Sequence, residues 1–170
     1  QAFPSVLFQR KFFVLHGSAF EYNGKGILIL GNSASGKSES INYIQMKHKI
    51  ITDDIISLKI SKNSVVSSPG LSALCISNKN SLLPLHDARK RSLNFIPGDM
   101  MYKKNIQIND IFFLKWGKAN KITGIEKIDS FKEIIVNSFR PIPTGASKKS
   151  EEFFLSAATS LLKNTHQYYF

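Results

Sequence analysis

The run Gly31-Asn32-Ser33-Ala34-Ser35-Gly36-Lys37-Ser38 carries the residue types needed to hold a polyphosphate. A chain of phosphates is gripped best by converging backbone N–H groups at a helix N-terminus, where the helix dipole also favours anions. Gly31 and Gly36 let the main chain curl, Lys37 offers a point charge to the β- and γ-phosphates, and the Ser38 hydroxyl can ligate magnesium. The segment fits G-x-x-x-x-G-K-[ST] at every position. An ordinary Gly-Lys-Ser turn is the plainer alternative, but the context favours a nucleotide. An expected strand, Gly26–Leu30, runs into the segment, and residues of helical composition, Glu39–Lys47, follow it.

Asp53 and Asp54 are adjacent within an apolar stretch, where two carboxylates are costly unless a metal, a base or water meets them. They are expected at a strand end beside the phosphate loop. One would hold magnesium and the other accept the proton of an attacking hydroxyl, and spacing alone leaves the division open. Capping of a turn is the alternative role. His16 lies on an expected strand that pairing could bring beside the loop, and by spacing alone it reads as structural. Arg89, Lys90 and Arg91 form three consecutive cations in an expected loop. They could neutralise a phosphoryl group in transfer or bind an acidic acceptor, or they could simply be solvated.

The elements that must position these groups follow from local signals. Lys11–Tyr22 is rich in β-branched and aromatic residues, Asn23-Gly24 is a two-residue turn signal, and Ile27–Leu30 completes a hairpin. After the loop, the helix should end near His48, and Lys49–Lys59 reads as one buried strand containing the aspartates. Short β-like runs follow at Ser64–Ser67, Leu71–Ile76 and Ser92–Ile96. Ile106–Trp116 is a longer apolar strand expected at the centre of the sheet. Ser130-Phe131-Lys132-Glu133 has a capping-box pattern opening a helix to Phe139. Lys148–Leu162 is a final helix whose apolar face should hold Phe154, Leu155, Ala158, Leu161 and Leu162.

With 170 residues, 42% hydrophobic and 21% charged, and with no repeat or low-complexity tract, the chain is expected to form one folded domain over residues 1–170. No apolar run approaches the roughly 18 residues of a membrane span, so a soluble protein without a membrane partner is expected. The single cysteine, Cys75, forms no internal disulfide and fits the cytoplasm. Gln1 in place of Met suggests a fragment or processed form, and a targeting segment upstream is compatible with it. The net charge of +11 favours a polyanionic partner. Nucleic acid is not the expected one, because no aromatic and basic residues interleave as a stacking platform.

Taken together, Leu15-His16-Gly17-Ser18-Ala19, Asn23-Gly24-Lys25-Gly26, the loop with Glu39 behind it, and Thr52-Asp53-Asp54 resemble the catalytic domain of HPr kinase/phosphorylase in order and spacing. The resemblance covers the first third of the chain well and the remainder more loosely. It implies an α/β P-loop domain of the HPr kinase/phosphoenolpyruvate carboxykinase type, β-rich, with a P-loop helix and C-terminal helices. It further implies ATP and Mg2+ as cofactors and a serine hydroxyl as acceptor. Under it Asp53 looks like the base and Asp54 a metal-site residue. His16 moves into the active site, and Glu39 joins the surroundings of the metal. The acidic segment that HPr kinases carry after the paired aspartates is not recognisable, nor is their glycine-rich C-terminal loop with its arginine. The chain is therefore more similar to shorter HPr-kinase-like proteins, including kinases encoded beside lasso-peptide precursors, which phosphorylate a peptide serine. In those a basic stretch resembles Asp87-Ala88-Arg89-Lys90-Arg91. The expectation is a serine kinase acting on a peptide or protein, with a homo-oligomer compatible. The alternatives are a nucleotide-sensing module without chemistry, or a small-molecule kinase or phosphorylase on the same fold.

Overall fold

The computed structural model describes residues 2–70, 73–77, 91–117, 120–139 and 148–170. The chain opens with α1 (Ala2–Gln9), then forms β1 (Phe13–Tyr22) and β2 (Lys25–Leu30). These two strands pair antiparallel from Tyr22↔Lys25 to Gly17↔Leu30. Asn23 and Gly24, at φ 50 and 78, make the turn that the Asn-Gly signal predicts, because both central positions need positive φ. The phosphate-loop motif follows β2 directly, and α2 (Lys37–Ile44) rises from it. That helix is shorter than the composition suggests, and a turn-like stretch carries the chain to His48.

The single strand expected over Lys49–Lys59 is two strands, β3 (Ile50–Thr52) and β4 (Ile55–Ile60). Both lie antiparallel to β1, β3 at Ala19 and Phe20, and β4 from Phe13 to His16. The break between them falls at Asp53-Asp54, with Asp54 left-handed at φ 70. After β5 (Val65–Ser67) come β6 (Ala73–Ser77) and β7 (Arg91–Phe95), which form a separate two-stranded sheet. Then follow β8 (Ile106–Phe113), β9 (Thr123–Gly124), α3 (Lys127–Val136), α4 (Lys148–Asn164) and β10 (His166–Tyr169).

The main sheet runs β2-β1-β4-β5-β8-β10-β9, and β8 also pairs parallel with β2. The pairings β2–β1–β4–β5–β8 thus return to β2 and close a ring of strands. Alternation along β2 shows why the sheet needs cover on both faces. Leu28 and Leu30 enter the larger core with Leu15, Ile111 and Phe113, and helices α1, α3 and α4 cover it with Phe8, Ile134, Phe154 and Leu161. Ile29 points the other way, into a smaller cluster with Ile41 of α2, Ile50, Ile96 and Met101. The result is an α/β arrangement with a mixed sheet.

Two local expectations need correction. Helix α3 begins at Lys127, not at the Ser130 capping box, and Ser130 is fully buried inside it with its hydroxyl unpartnered. In α4, Leu155 is exposed while Ala157 joins the buried face, because residues at i, i+3, i+4 and i+7 from Phe154 share one stripe. The sequence pattern also gave no sign of α1, β9 and β10, which are short or lie close to the ends of the given chain. Among the described residues, no helix is long and apolar enough to cross a membrane.

Candidate active site

The phosphate-loop motif occupies the turn between the C-terminal end of β2 and the first residue of α2. Gly36 precedes the helix at φ 93, a left-handed conformation that favours glycine, and no side chain caps the helix start. The first turn therefore presents its backbone N–H groups around the loop, as an anion cradle requires. Asn32, Ser33 and Ala34 are exposed on the rim, with Ala34 at φ 64. The Ser35 hydroxyl is buried against Gly31 and has no hydrogen-bond partner. Lys37 is buried, and its Nζ donates to the carbonyls of Gly31 at 2.7 Å and Asn32 at 3.0 Å. Burial lowers the pKa of its ammonium, opposed by the negative charges of Asp53, Asp54 and Glu39.

Strand β1 supplies the second wall. His16 and Ser18 are two residues apart and so lie on the same face of the strand, opposite the β3–β4 break. The Ser18 hydroxyl donates to Asp53 Oδ1 at 2.5 Å, and the Ser38 hydroxyl donates to Asp53 Oδ2 at 3.0 Å. Asp53 is only 3% exposed. Burial raises its pKa and the Asp54 charge adds to the rise, while the hydrogen bonds from Ser18 and Ser38 and a backbone N–H pull it back. The left-handed Asp54 sends its carboxylate elsewhere. It is exposed, with Oδ1 3.1 Å from His16 Nδ1, and the same nitrogen is 3.1 Å from the Asp54 carbonyl. Gly17 must lack a side chain here, because a Cβ would stand 2.5 Å from Leu30 Cδ2 and 2.6 Å from the Ile29 carbonyl.

The structure thus brings together Lys37, Ser38, Asp53, Asp54 and His16, with half-buried Glu39 on the first turn of α2. Arg89 and Lys90 lie outside the described residues, and Arg91 opens β7 opposite Ser77. Two members of the site carry no sequence signal of their own. Ser18 was visible only as a small residue two places beyond His16. Asn137, just past α3, accepts the Gly31 N–H on its side-chain oxygen at 3.1 Å, and no local pattern announces a contact 106 residues away. A separate apolar groove of about 310 Å³, lined by Tyr22, Ile27, Phe112 and Tyr168, lies toward the turn end of the β1–β2 hairpin, away from the phosphate loop.

The donor set suits a hard divalent cation. Ser38 offers a hydroxyl oxygen, and the carboxylate oxygens of Asp53 beside it and of Asp54 are the ligand type magnesium takes. The buried carboxylate would also be relieved by a cation next to it.

Fold and site together define an α/β protein with a glycine-rich strand–loop–helix segment facing an acid pair. No family model matches the chain. Among curated proteins, it is similar to HPr kinase/phosphorylase from Clostridium botulinum (strain Eklund 17B / Type B), 40% identical over 55 residues, which are 32% of this chain and 18% of that protein. The HPr kinase/phosphorylase of Lachnoclostridium phytofermentans is 36% identical over 56 residues, again 32% of this chain and 18% of that protein. The chain thus matches under a fifth of the length of these curated relatives. Among solved structures, the Hpr(Ser) kinase/phosphatase from Coxiella burnetii aligns over 64% of this chain and 69% of its own, with a TM-score of 0.48 and 20% identity. The HPr-kinase-like resemblance read from the motifs is supported by these partial matches to proteins named HPr kinase/phosphorylase.

Proposed function

We propose that this chain is an ATP-dependent kinase of the HPr-kinase-like type that transfers the γ-phosphoryl group to a serine hydroxyl of a peptide or protein. The observation that carries the proposal is the bridge formed by Asp53. One carboxylate reaches Ser38 in the phosphate loop and Ser18 on β1, so the group able to take a proton stands beside the group able to hold the metal.

In this reading the loop N–H groups and Lys37 bind the β- and γ-phosphates and stabilise charge spreading over the transferring group. Ser38 and Asp54 would hold magnesium, which when bound neutralises phosphate charge. Glu39, half-buried on the first turn of α2, is assigned to the surroundings of that site. The acceptor oxygen attacks the γ-phosphorus in line, its bond to phosphorus forms as the bond to the bridging oxygen of ADP breaks, and the hydroxyl proton passes to Asp53. Burial raises the proton affinity of Asp53, which suits a base. His16 holds the Asp54 carboxylate in position at the edge of the site. Arg89, Lys90 and Arg91 are assigned to the acceptor or the transferring phosphoryl group on charge alone. The cytoplasm is the compartment this reading requires, and residues 1–170 act as a single P-loop domain.

The test uses γ-labelled ATP with a library of serine peptides and the same peptides carrying alanine. Label should enter the serine peptides only. Lys37→Ala should weaken Mg·ATP binding at least tenfold and slow transfer, whereas Asp53→Asn should bind Mg·ATP and lose transfer by about 100-fold or more. Retained transfer in Asp53→Asn would remove it as the base. Nucleotide binding without labelling of any hydroxyl, whether peptide or small molecule, would leave a sensing module instead.

A further inference from the structure

We infer that Asn137 is a positioning residue that fixes the entry of the phosphate loop to the strand carrying His16, and that the loop's hold on ATP depends on it. This rests on the kinase reading above.

Strand β1 has one edge along which β2 pairs from Tyr22 back to Gly17. At Leu30 the chain leaves that edge to form the phosphate loop. The vacated stretch of β1 is taken over by the segment following α3: Phe139 N donates to the Val14 carbonyl at 3.0 Å, His16 N donates to the Asn137 carbonyl at 2.7 Å, and Leu15 bridges Ser138. Asn137 therefore stands where β2 ends and the loop begins.

Its side chain is placed to use that location. Asn137 is 4% exposed. Its Oδ1 accepts the Gly31 N–H at 3.1 Å, and its Nδ2 donates to the Glu133 carbonyl at 2.9 Å. The amide has one allowed orientation, since an N–H faces its oxygen and a carbonyl faces its nitrogen. One residue thus joins the first N–H of the phosphate loop, the main chain of His16 and the last turn of α3. The ring of Phe139 packs edge-on to His16 with centroids 6.0 Å apart, which continues the same support. Without Asn137 the buried Gly31 N–H would lack an acceptor, and the loop would satisfy it by shifting. A loop displaced at its entry no longer aims its remaining N–H groups at the phosphates.

The experiment compares wild type, Asn137→Ala, Asn137→Asp and Ser138→Ala by calorimetry with Mg·ATP, thermal melting, and hydrogen exchange of the peptide containing Gly31–Lys37. Ser138→Ala removes a 2.7 Å bond to the Ile135 carbonyl at the same helix end without touching the loop. Asn137→Ala should weaken Mg·ATP binding about tenfold and speed exchange in the loop peptide, while Ser138→Ala leaves both near wild type. Should Asn137→Ala fail to fold, Asn137→Asp keeps an oxygen facing the Gly31 N–H. Its second oxygen repels the Glu133 carbonyl and should speed exchange at the end of α3, but the loop peptide should exchange as slowly as wild type, even though the added charge weakens ATP binding. Equal effects of Asn137→Ala and Ser138→Ala, wild-type ATP affinity in Asn137→Ala, or fast loop exchange in folded Asn137→Asp would overturn the inference. Absence of Mg·ATP binding by wild type would instead remove the kinase reading on which it rests.

Discussion

Asp53 is ionised at a cost, because burial and the neighbouring Asp54 both favour its protonated form, and the hydroxyls of Ser18 and Ser38 only partly offset them. A carboxylate whose folded pKa lies above its unfolded value takes up protons on folding. Its contribution is neutral at low pH and becomes unfavourable as pH rises from the ordinary carboxylate range through the raised folded value. Asp53→Asn removes that penalty. In the nucleotide-free protein it should therefore raise stability at neutral pH by about 1 kcal/mol, or about 2–4 °C in Tm, with the gain vanishing below the ordinary carboxylate range. Melting curves of both forms across pH check this, and a gain that grows toward acid would contradict the sign. Such a trade of stability for activity is what the proposed role of Asp53 as the base would entail.

At the scale of elements, two glycines of the site are required for different reasons. Gly17 lies in extended β1 but has no room for a Cβ between Leu30 and the Ile29 carbonyl, so Gly17→Ala should cost about 1–3 kcal/mol through overpacking. Gly36 has open space around it but a left-handed φ of 93, so Gly36→Ala lets the loop relax instead. It should lower stability by about 1–2 kcal/mol while weakening Mg·ATP binding several-fold. Urea unfolding and calorimetry on the pair separate the two cases. What the sequence revealed follows the same local–distant divide. The Asn23-Gly24 turn and the strand–loop–helix around Gly31–Ser38 were legible because each signal lies within a few residues of the geometry it causes. The acid pair was legible as a strand end from the cost of burying charge. That β3 and β4 share the same neighbour was not legible, since strand pairing is decided by β1, whose paired residues lie thirty or more positions away. The Ser130 pattern was genuine but overruled, because burying Ser130 lets Ile134 reach the core while the helix starts a turn earlier. Ser18 and Asn137 belong to the site only through contacts that span the chain.

For the whole molecule, the ring β2–β1–β4–β5–β8 means that the phosphate loop and the acid pair are carried by strands sharing one core. The loop hangs from β2, which β8 and β1 hold on either side, and the aspartates hang from the β3–β4 break on the opposite edge of β1. Their separation is thus fixed by β1 itself. The net charge of +11 acts over the same scale, and under the proposed kinase function its field, which salt screens, would draw acidic acceptors toward the protein. Phosphorylation of an acidic serine peptide should slow several-fold in kcat/KM between about 50 and 200 mM salt, and that of a neutral peptide should change little. Equal salt dependence for both would remove electrostatic steering from the account of acceptor choice.

The hairpin turn at Asn23-Gly24 has a practical use. Nothing lies within 4 Å of where a Cβ on Gly24 would be, and the turn is separated from the phosphate loop by the whole paired length of β2, roughly 17 Å. A short epitope or split-reporter tag spliced between these two residues would stand clear of the proposed site, so that the protein could be followed in a living cell with the Gly31–Ser38 loop undisturbed.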